Sequence, residues 1–242
     1  SGIGRASAQL YAREGAKVVA AARSETEGSL PGTIQQTAQE IREFGGVVLP
    51  VRCDITSPSD IEELGRRTLA EFGTVDVLVN NAGIGSFNPI LKVSLERWDK
   101  VFATNIRGAF LCSRVVLPTM IRNRRGSIIN ITSMAARVAD AHHGPYAASK
   151  AALERFTICL AEEVRGYDIA VNALDPGLIL APGVAEGVKS AGRGHTLMGR
   201  QPPESVAPAA LFLAYQDAHF TGRVMKAQDF YVTWPHQPEA GS

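Results

Sequence analysis

Charge of one sign is what this sequence most plainly lacks: 25 Lys and Arg stand against 24 Asp and Glu, leaving a formal net charge of +1. Nucleic acid and anionic membrane surfaces both demand a concentrated basic patch, so neither is expected as a partner. The densest basic run, Arg122 to Arg125, precedes an apolar stretch and reads as a solvated helix end. No apolar run approaches the roughly 18 residues needed to cross a bilayer. Cysteine is scarce as well. Cys53, Cys112 and Cys159 are far apart, form no C-x-x-C pair, and read as small buried hydrophobes in a reducing compartment, which points to the cytoplasm. No His, Asp or Glu spacing has the form of a metal site, so no metal is expected. Internal repeats, low-complexity tracts and a secretory signal are also missing. The opening Ser1-Gly2-Ile3-Gly4 looks instead like the middle of a motif, so a targeting segment upstream would not be visible.

What is present is enough apolar residue, 45% of 242, for one large core. A single domain is expected over residues 1–235, with a disordered tail at 236–242. Strand and helix patterns alternate. Ile3, Ala6 and Leu10 recur at helical spacing and Gly15 follows as a stop. Lys17–Ala22, Val47–Val51, Val75–Val79, Ser127–Ile131 and Ile169–Ala173 are short apolar runs of strand length. Helical patterns cover Thr33–Phe44, Ser57–Phe72, Leu95 to about Ile121, and Tyr146–Arg165. Strands this apolar are covered on both faces, so the alternation predicts an α/β fold: a doubly wound parallel sheet with helices on both sides. Leu178–Pro203 shows no clear element and carries five glycines between 183 and 199; it is expected to be a mobile cover over the site.

Four constellations suggest chemistry. Gly2-Ile3-Gly4 opens a helix, where glycines let the backbone approach a pyrophosphate and the N-terminus supplies N–H donors. Tyr146 and Lys150 are four residues apart and so share a helix face. A cation beside a phenol favours the phenolate, which suits proton exchange near neutral pH. Ser133, thirteen residues before the tyrosine, ends a strand where ligands bind in such sheets. Asn80-Asn81-Ala82-Gly83 follows another strand and either caps a turn or lies against a nucleotide. Asn105 falls inside a helical pattern that it suits poorly, and is either a satisfied core amide or a functional one.

In their order and spacing, SGIGRA, NNAG, Asn105, Ser133, YAASK and NALDPG resemble the short-chain dehydrogenase/reductases over nearly the whole chain. That resemblance implies a Rossmann-type sheet. It makes Tyr146 the acid/base, Ser133 a hydrogen-bond partner of the substrate oxygen, and Lys150 a holder of the nicotinamide ribose that lowers the tyrosine pKa. Asn105 would anchor a water in the proton relay. Gly2 and Ile3 match the phosphate loop, Asp54 and Ile55 the adenine contacts, Asn81 a ribose contact, and Ile179 a backbone contact to the carboxamide. It further implies a strand before Ser1, seated between Lys17–Ala22 and Val75–Val79, so an empty slot is expected there with Ser1 at its mouth. Pairing into homodimers or homotetramers through the two long helices is implied too.

Two departures stand out: Ala181 occupies the place of a usual threonine, and TGRVMKAQDFYVTW replaces a glycine-rich close. At the end of the second strand of that fold, Ala22-Arg23 stands where members preferring NAD carry an acid. Arginine suits a 2′-phosphate, so NADP(H) is favoured over NAD(H), Arg23 being the discriminating contact. The substrate is expected to be a small carbonyl compound or alcohol, with Phe87, Arg137–His143 and the 181–200 loop as pocket walls. Of the adjacent histidines, exposure is the ordinary reading. The rival function is a nucleotide-binding regulator or subunit of the same fold, but such a protein has no need of Ser133, Tyr146, Lys150 and Asn105 together.

Overall fold

Two strands are buried along their whole length. In the computed structural model, which describes residues 2–23, 33–139, 141–180 and 199–230, β4 (Gly126–Ile131) pairs in parallel with β5 (Ile169–Asp175). Their alternate side chains serve two different layers. Ile129, Ile131 and Leu174 pack on Ala210 and Leu213 of α7 (Ala207–Ala214) and on Ile3 of α1 (Gly2–Arg13). Ile128, Ile169 and Val171 pack on Val116 and Met120 of α5 (Gly108–Asn123) and on Leu160 and Val164 of α6 (Gly144–Val164). Helices on both faces explain why these strands show no polar alternation.

β3 (Val77–Asn80) flanks β4 and β6 (Val224–Lys226) flanks β5, giving a parallel order β3-β4-β5-β6. β1 (Val18–Ala22) and β2 (Val48–Arg52) form a parallel pair of their own. Among the described residues no ladder joins β1 to β3. Their facing edges line a cleft of about 2110 Å³. The expectation of a slot with Ser1 at its mouth turns on Ser1, which lies outside the described residues, as do 181–198 of the glycine-rich segment and the tail.

Helix ends follow local chemistry. Thr33 caps α2 (Ile34–Glu43), its hydroxyl accepting the Gln36 N–H at 3.0 Å. Ser57 and Pro58 start α3 (Pro58–Phe72), and Gly73 ends it at φ 76°, a left-handed turn that glycine adopts without strain. The single long helix expected from Leu95 proves to be three pieces: α4 (Leu95–Phe102), a π turn at Ala103–Arg107, and α5. Asn105 sits in that π turn. α7 and β6 are elements the residue pattern did not announce. One cysteine also departs from expectation: Cys53 and Cys112 are buried, but Cys159 is exposed, because it falls on the face of α6 opposite Thr157 and Leu160.

Polar side chains inside the sheet are paired. Asn130 of β4 accepts from Asn80 Nδ2 at 2.8 Å and donates to Thr157 Oγ1 of α6 at 2.8 Å, linking β3, β4 and α6. Replacing it with Ala removes an acceptor from half-buried Asn80 and a donor from buried Thr157. Asn130→Ala should lower stability by about 1–3 kcal/mol, the usual penalty for buried groups left unmatched, as read from urea unfolding.

Candidate active site

Two strand ends and one helix start converge on the cleft. β4 ends at Ile131, and Ser133 follows in extended backbone, its hydroxyl accepting the Ala135 N–H at 3.2 Å. Pro145 pre-sets the first turn of α6, so Tyr146 enters the cleft from that turn. Burial pushes the Tyr146 phenol up and dominates; the Ser133 hydroxyl favours the ionised form, and Asp175 adds a smaller upward push. One turn further on, Lys150 is only 4% exposed, and its Nζ donates to the Ile131 carbonyl at 2.7 Å. Burial drops the Lys150 pKa from 10.5 to about 8.

Tyr146, Lys150 and Ser133 are thus brought together as expected. The expected lowering of the phenol by Lys150 is not what this geometry delivers. Its Nζ lies 6.0 Å from the Tyr146 ring centroid and is committed to a backbone carbonyl, so burial decides the phenol's direction.

Asn105 stands behind the site. It is 1% exposed; its Oδ1 accepts the Ile84 N–H at 2.8 Å, and its Nδ2 donates to Ile84 O at 3.1 Å and to Ser149 Oγ at 2.9 Å. Ser149 in turn donates to the Tyr146 carbonyl at 2.7 Å. Asn105 is a satisfied core amide, and what it satisfies is the loop at Ile84 and the first turn of α6. Both amide hydrogens are used, and one Oδ1 lone pair remains for a further donor. π turns collect at functional sites, and this one aims the amide inward. Ser149 was not singled out by sequence; its only signal is a hydroxyl placed one turn after the tyrosine.

The nucleotide-side candidates line the same cleft. They are Gly2, Ile3, Arg23, Asp54, Ile55, Asn81 and Ile179, together with Ser133, Tyr146 and Lys150. A Cβ on Gly4 would meet Asn81 Nδ2 at 2.7 Å, and one on Gly83 would meet Lys150 Nζ at 3.3 Å. The backbone is therefore packed to glycine tolerance where α1 opens and where the NNAG turn passes the lysine. Arg23 is exposed just after β1. Asp54 accepts from Thr56 N–H and Oγ at 2.9 and 2.7 Å; with those bonds first and Arg23 contributing, its carboxyl is held below the usual range. Arg5 is already engaged by Glu40, Nε to Oε2 at 2.8 Å. Ile179 bridges Gln201 and its carbonyl takes a long bond from Arg200 Nη1, 3.4 Å. Ala181 lies outside the described residues.

Among the proposed pocket walls, Phe87, Val138 and His143 line the cleft. Phe87 meets His143 edge-on at 5.0 Å, and His143 stands 6.3 Å from the Tyr146 ring. His142 is exposed, as the ordinary reading had it, whereas His143 is not. Among the described residues no cluster could hold a metal ion, and no helix is long and apolar enough to cross a membrane.

A family model described as short chain dehydrogenase matches residues 1–191. The chain belongs to the short-chain dehydrogenase family. Its relatives include 3-oxoacyl-(acyl-carrier-protein) reductase FabG of Thermotoga maritima, 35% identical over 232 residues, covering 93% of this chain and 91% of the relative. Cyclopentanol dehydrogenase of Comamonas is 35% identical over 225 residues, 90% of this chain and 88% of that one. A crystal structure described as an NAD(P)-dependent gluconate 5-dehydrogenase from Beutenbergia cavernae, with NADP bound at low occupancy, superposes with a TM-score of 0.84. It is 32% identical and covers 96% of this chain and 93% of that chain. This short-chain dehydrogenase is an oxidoreductase acting on CH–OH groups through a nicotinamide nucleotide.

The buried lysine has a pH signature. Between about pH 8 and pH 10.5 the unfolded chain holds a proton on Lys150 that the folded protein does not. Stability from this residue therefore rises with pH across that window, complete above it and lost below about 8. Relative to Lys150→Met, wild type should gain up to roughly 3 kcal/mol between those limits. Denaturant unfolding of both proteins at several pH values measures it; a pH-independent difference would refute it.

Proposed function

We propose that this dehydrogenase interconverts a secondary alcohol and a ketone or aldehyde with NADP(H), using Tyr146 as the acid/base. The observation that carries this reading is the convergence of Ser133, Tyr146 and buried Lys150 at the wall of a cleft that also receives the start of α1. The close approaches at Gly4 and Gly83 suit a nucleotide lying along the backbone, and the helix N-terminus suits its pyrophosphate. When bound, the nicotinamide supplies or accepts the hydride.

The protein's part is proton transfer and positioning. In reduction the Tyr146 hydroxyl donates its proton to the substrate oxygen; in oxidation the phenolate removes the alcohol proton. Ser133 hydrogen-bonds the same oxygen and stabilises charge developing on it. Lys150 spends one donor on Ile131 and keeps two for ribose hydroxyls. Asn105, through Ser149, holds the first turn of α6 in place and retains one lone pair for a relay water. Gly2 and Ile3 meet the phosphates, Asp54 and Ile55 the adenine, Asn81 the ribose, Ile179 the carboxamide. Arg23 meets the 2′-phosphate. Leu95, Trp98 and Phe110 are exposed on α4 and α5, which supports pairing of subunits through these helices into a dimer or tetramer. A cytoplasmic setting fits the free thiols.

Tyr146→Phe keeps the ring and removes the proton. Turnover on a panel of ketones and secondary alcohols, followed by nicotinamide absorbance, should fall about 10²–10⁴-fold with nucleotide binding little changed. Near-normal turnover would remove the mechanism.

Arg23→Ala should weaken NADPH by about 1.5–3 kcal/mol, the worth of a hydrogen bond to a charged group, and leave NADH nearly unaffected. Dissociation constants for both nucleotides decide the point, since equal losses mean that Arg23 does not discriminate.

A further inference from the structure

A charged cluster behind the tyrosine has no part in the chemistry above. Arg137 closes the short turn that Ser133 opens, its N–H bonding the Met134 carbonyl at 3.0 Å. Its guanidinium forks between two acids. Nη1 binds Glu154 Oε1 at 3.0 Å, and Nη2 pairs with Asp175. Glu154 also accepts from Thr132 Oγ1 at 2.9 Å, and Asp175 from the Gly177 N–H at 3.0 Å. Each anchor belongs to an element that builds the site. Thr132 and Arg137 flank Ser133, and Asp175 ends β5. Glu154 continues the Tyr146–Lys150 stripe at the next i+4 position of α6. The Asp175 carboxylate side chain is 3% exposed and that of Glu154 12%, so water screens neither well.

We propose that Arg137 and Asp175 are positioning residues that set the proton affinity of Tyr146 from behind the reacting group. Asp175 places a negative charge where it opposes the phenolate, and Arg137, shared with Glu154, offsets part of that charge through a direct ion pair. The inference rests on Tyr146 being the acid/base. Its physical content is a balance: the bare carboxylate would hold the phenol protonated, and the bare guanidinium would favour its ionisation. The same clamp ties the Ser133 turn to α6 and β5, so it holds the serine at a fixed distance from the phenol. Asp175 is among the charges that act on Tyr146, with upward sign. The other ionisable groups near the phenol are Lys150 on its own helix and His143 in the turn before it; Glu154 lies about two turns further along that helix and meets Arg137. Arg97, on the neighbouring α4, is turned away to the Gly85 carbonyl. Arg137 also pairs with Glu154, so removing the arginine uncovers two acids whereas removing Asp175 takes one away, and the two changes act in opposite directions.

The test needs no substrate. Tyrosinate absorbance of the NADP⁺-loaded protein is measured against pH. Each variant is compared with the same variant carrying Tyr146→Phe, which isolates this phenol from the other tyrosines. Asp175→Asn keeps an acceptor for Gly177 and should raise the tyrosinate-to-tyrosine ratio on the order of tenfold at a given pH. Arg137→Gln should lower it, and Arg137→Lys should restore most of the wild-type ratio. Equal ratios in all variants, or ratios moving in the same direction for Asp175→Asn and Arg137→Gln, overturn the proposal. Should Asp175→Asn not fold, Arg137→Gln decides alone by the sign of its change, because this residue is partly exposed. The underlying reading is checked separately. A Tyr146→Phe protein active on secondary alcohols removes the acid/base assignment itself, whereas an inactive one with unmoved ratios removes only the role of the ion pair.

Discussion

The pairing of β4 with β5 is the constraint on which the site depends. Both strands are buried end to end, so their register cannot slip by one residue without turning two packed faces inside out. That register sets Ile131 opposite Leu174, and the chain positions just beyond deliver the chemistry. Ser133 follows one strand, and Asp175 with Pro176-Gly177 closes the other. α6 then lies against β5 and brings Tyr146 and Lys150 to the same end, with Lys150 pinned to the last carbonyl of β4. The geometry of the proposed site follows from that of the sheet, with loops adding its walls.

The polar residues in this core follow the same logic. Asn130 joins three elements, Ser127 donates to Leu213 O at 2.7 Å, and Asn172 to Phe220 O at 2.8 Å. Each is directional where apolar packing is not, so each fixes which helix lies over which strand. Asn105 does the same nearer the chemistry. One amide there locks the Ile84 loop to α6, which explains why a residue ill-suited to helices is tolerated at a π turn.

Much of this was readable from the residues. The apolar strands, the glycine stops and the Tyr146–Lys150 spacing are local signals, and the five strands expected, β1 to β5, lie within about two residues of their observed bounds. Asn105 broke a local rule visibly enough to be noticed, although its two partner residues lie 21 and 44 positions away and could not be guessed. The Arg137 clamp was hidden for the same reason: Glu154 is 17 positions distant and Asp175 is 38, and no periodicity connects them. β6 is three residues long, too short to carry a pattern. His143 was misjudged because adjacent histidines in a loop carry no sign of which one turns inward, and a left-handed backbone at His142, φ 72°, is what separates them.

The division of roles along the chain has a bearing on how such a protein can change over time. Arg23, which we assign to nucleotide choice, follows β1, whereas Ser133 follows β4 and Tyr146 and Lys150 sit on α6. Among the described residues no hydrogen bond or ion pair joins Arg23 to those three. Side chains without shared partners contribute nearly additively, so coenzyme preference and proton chemistry are open to separate drift or redesign.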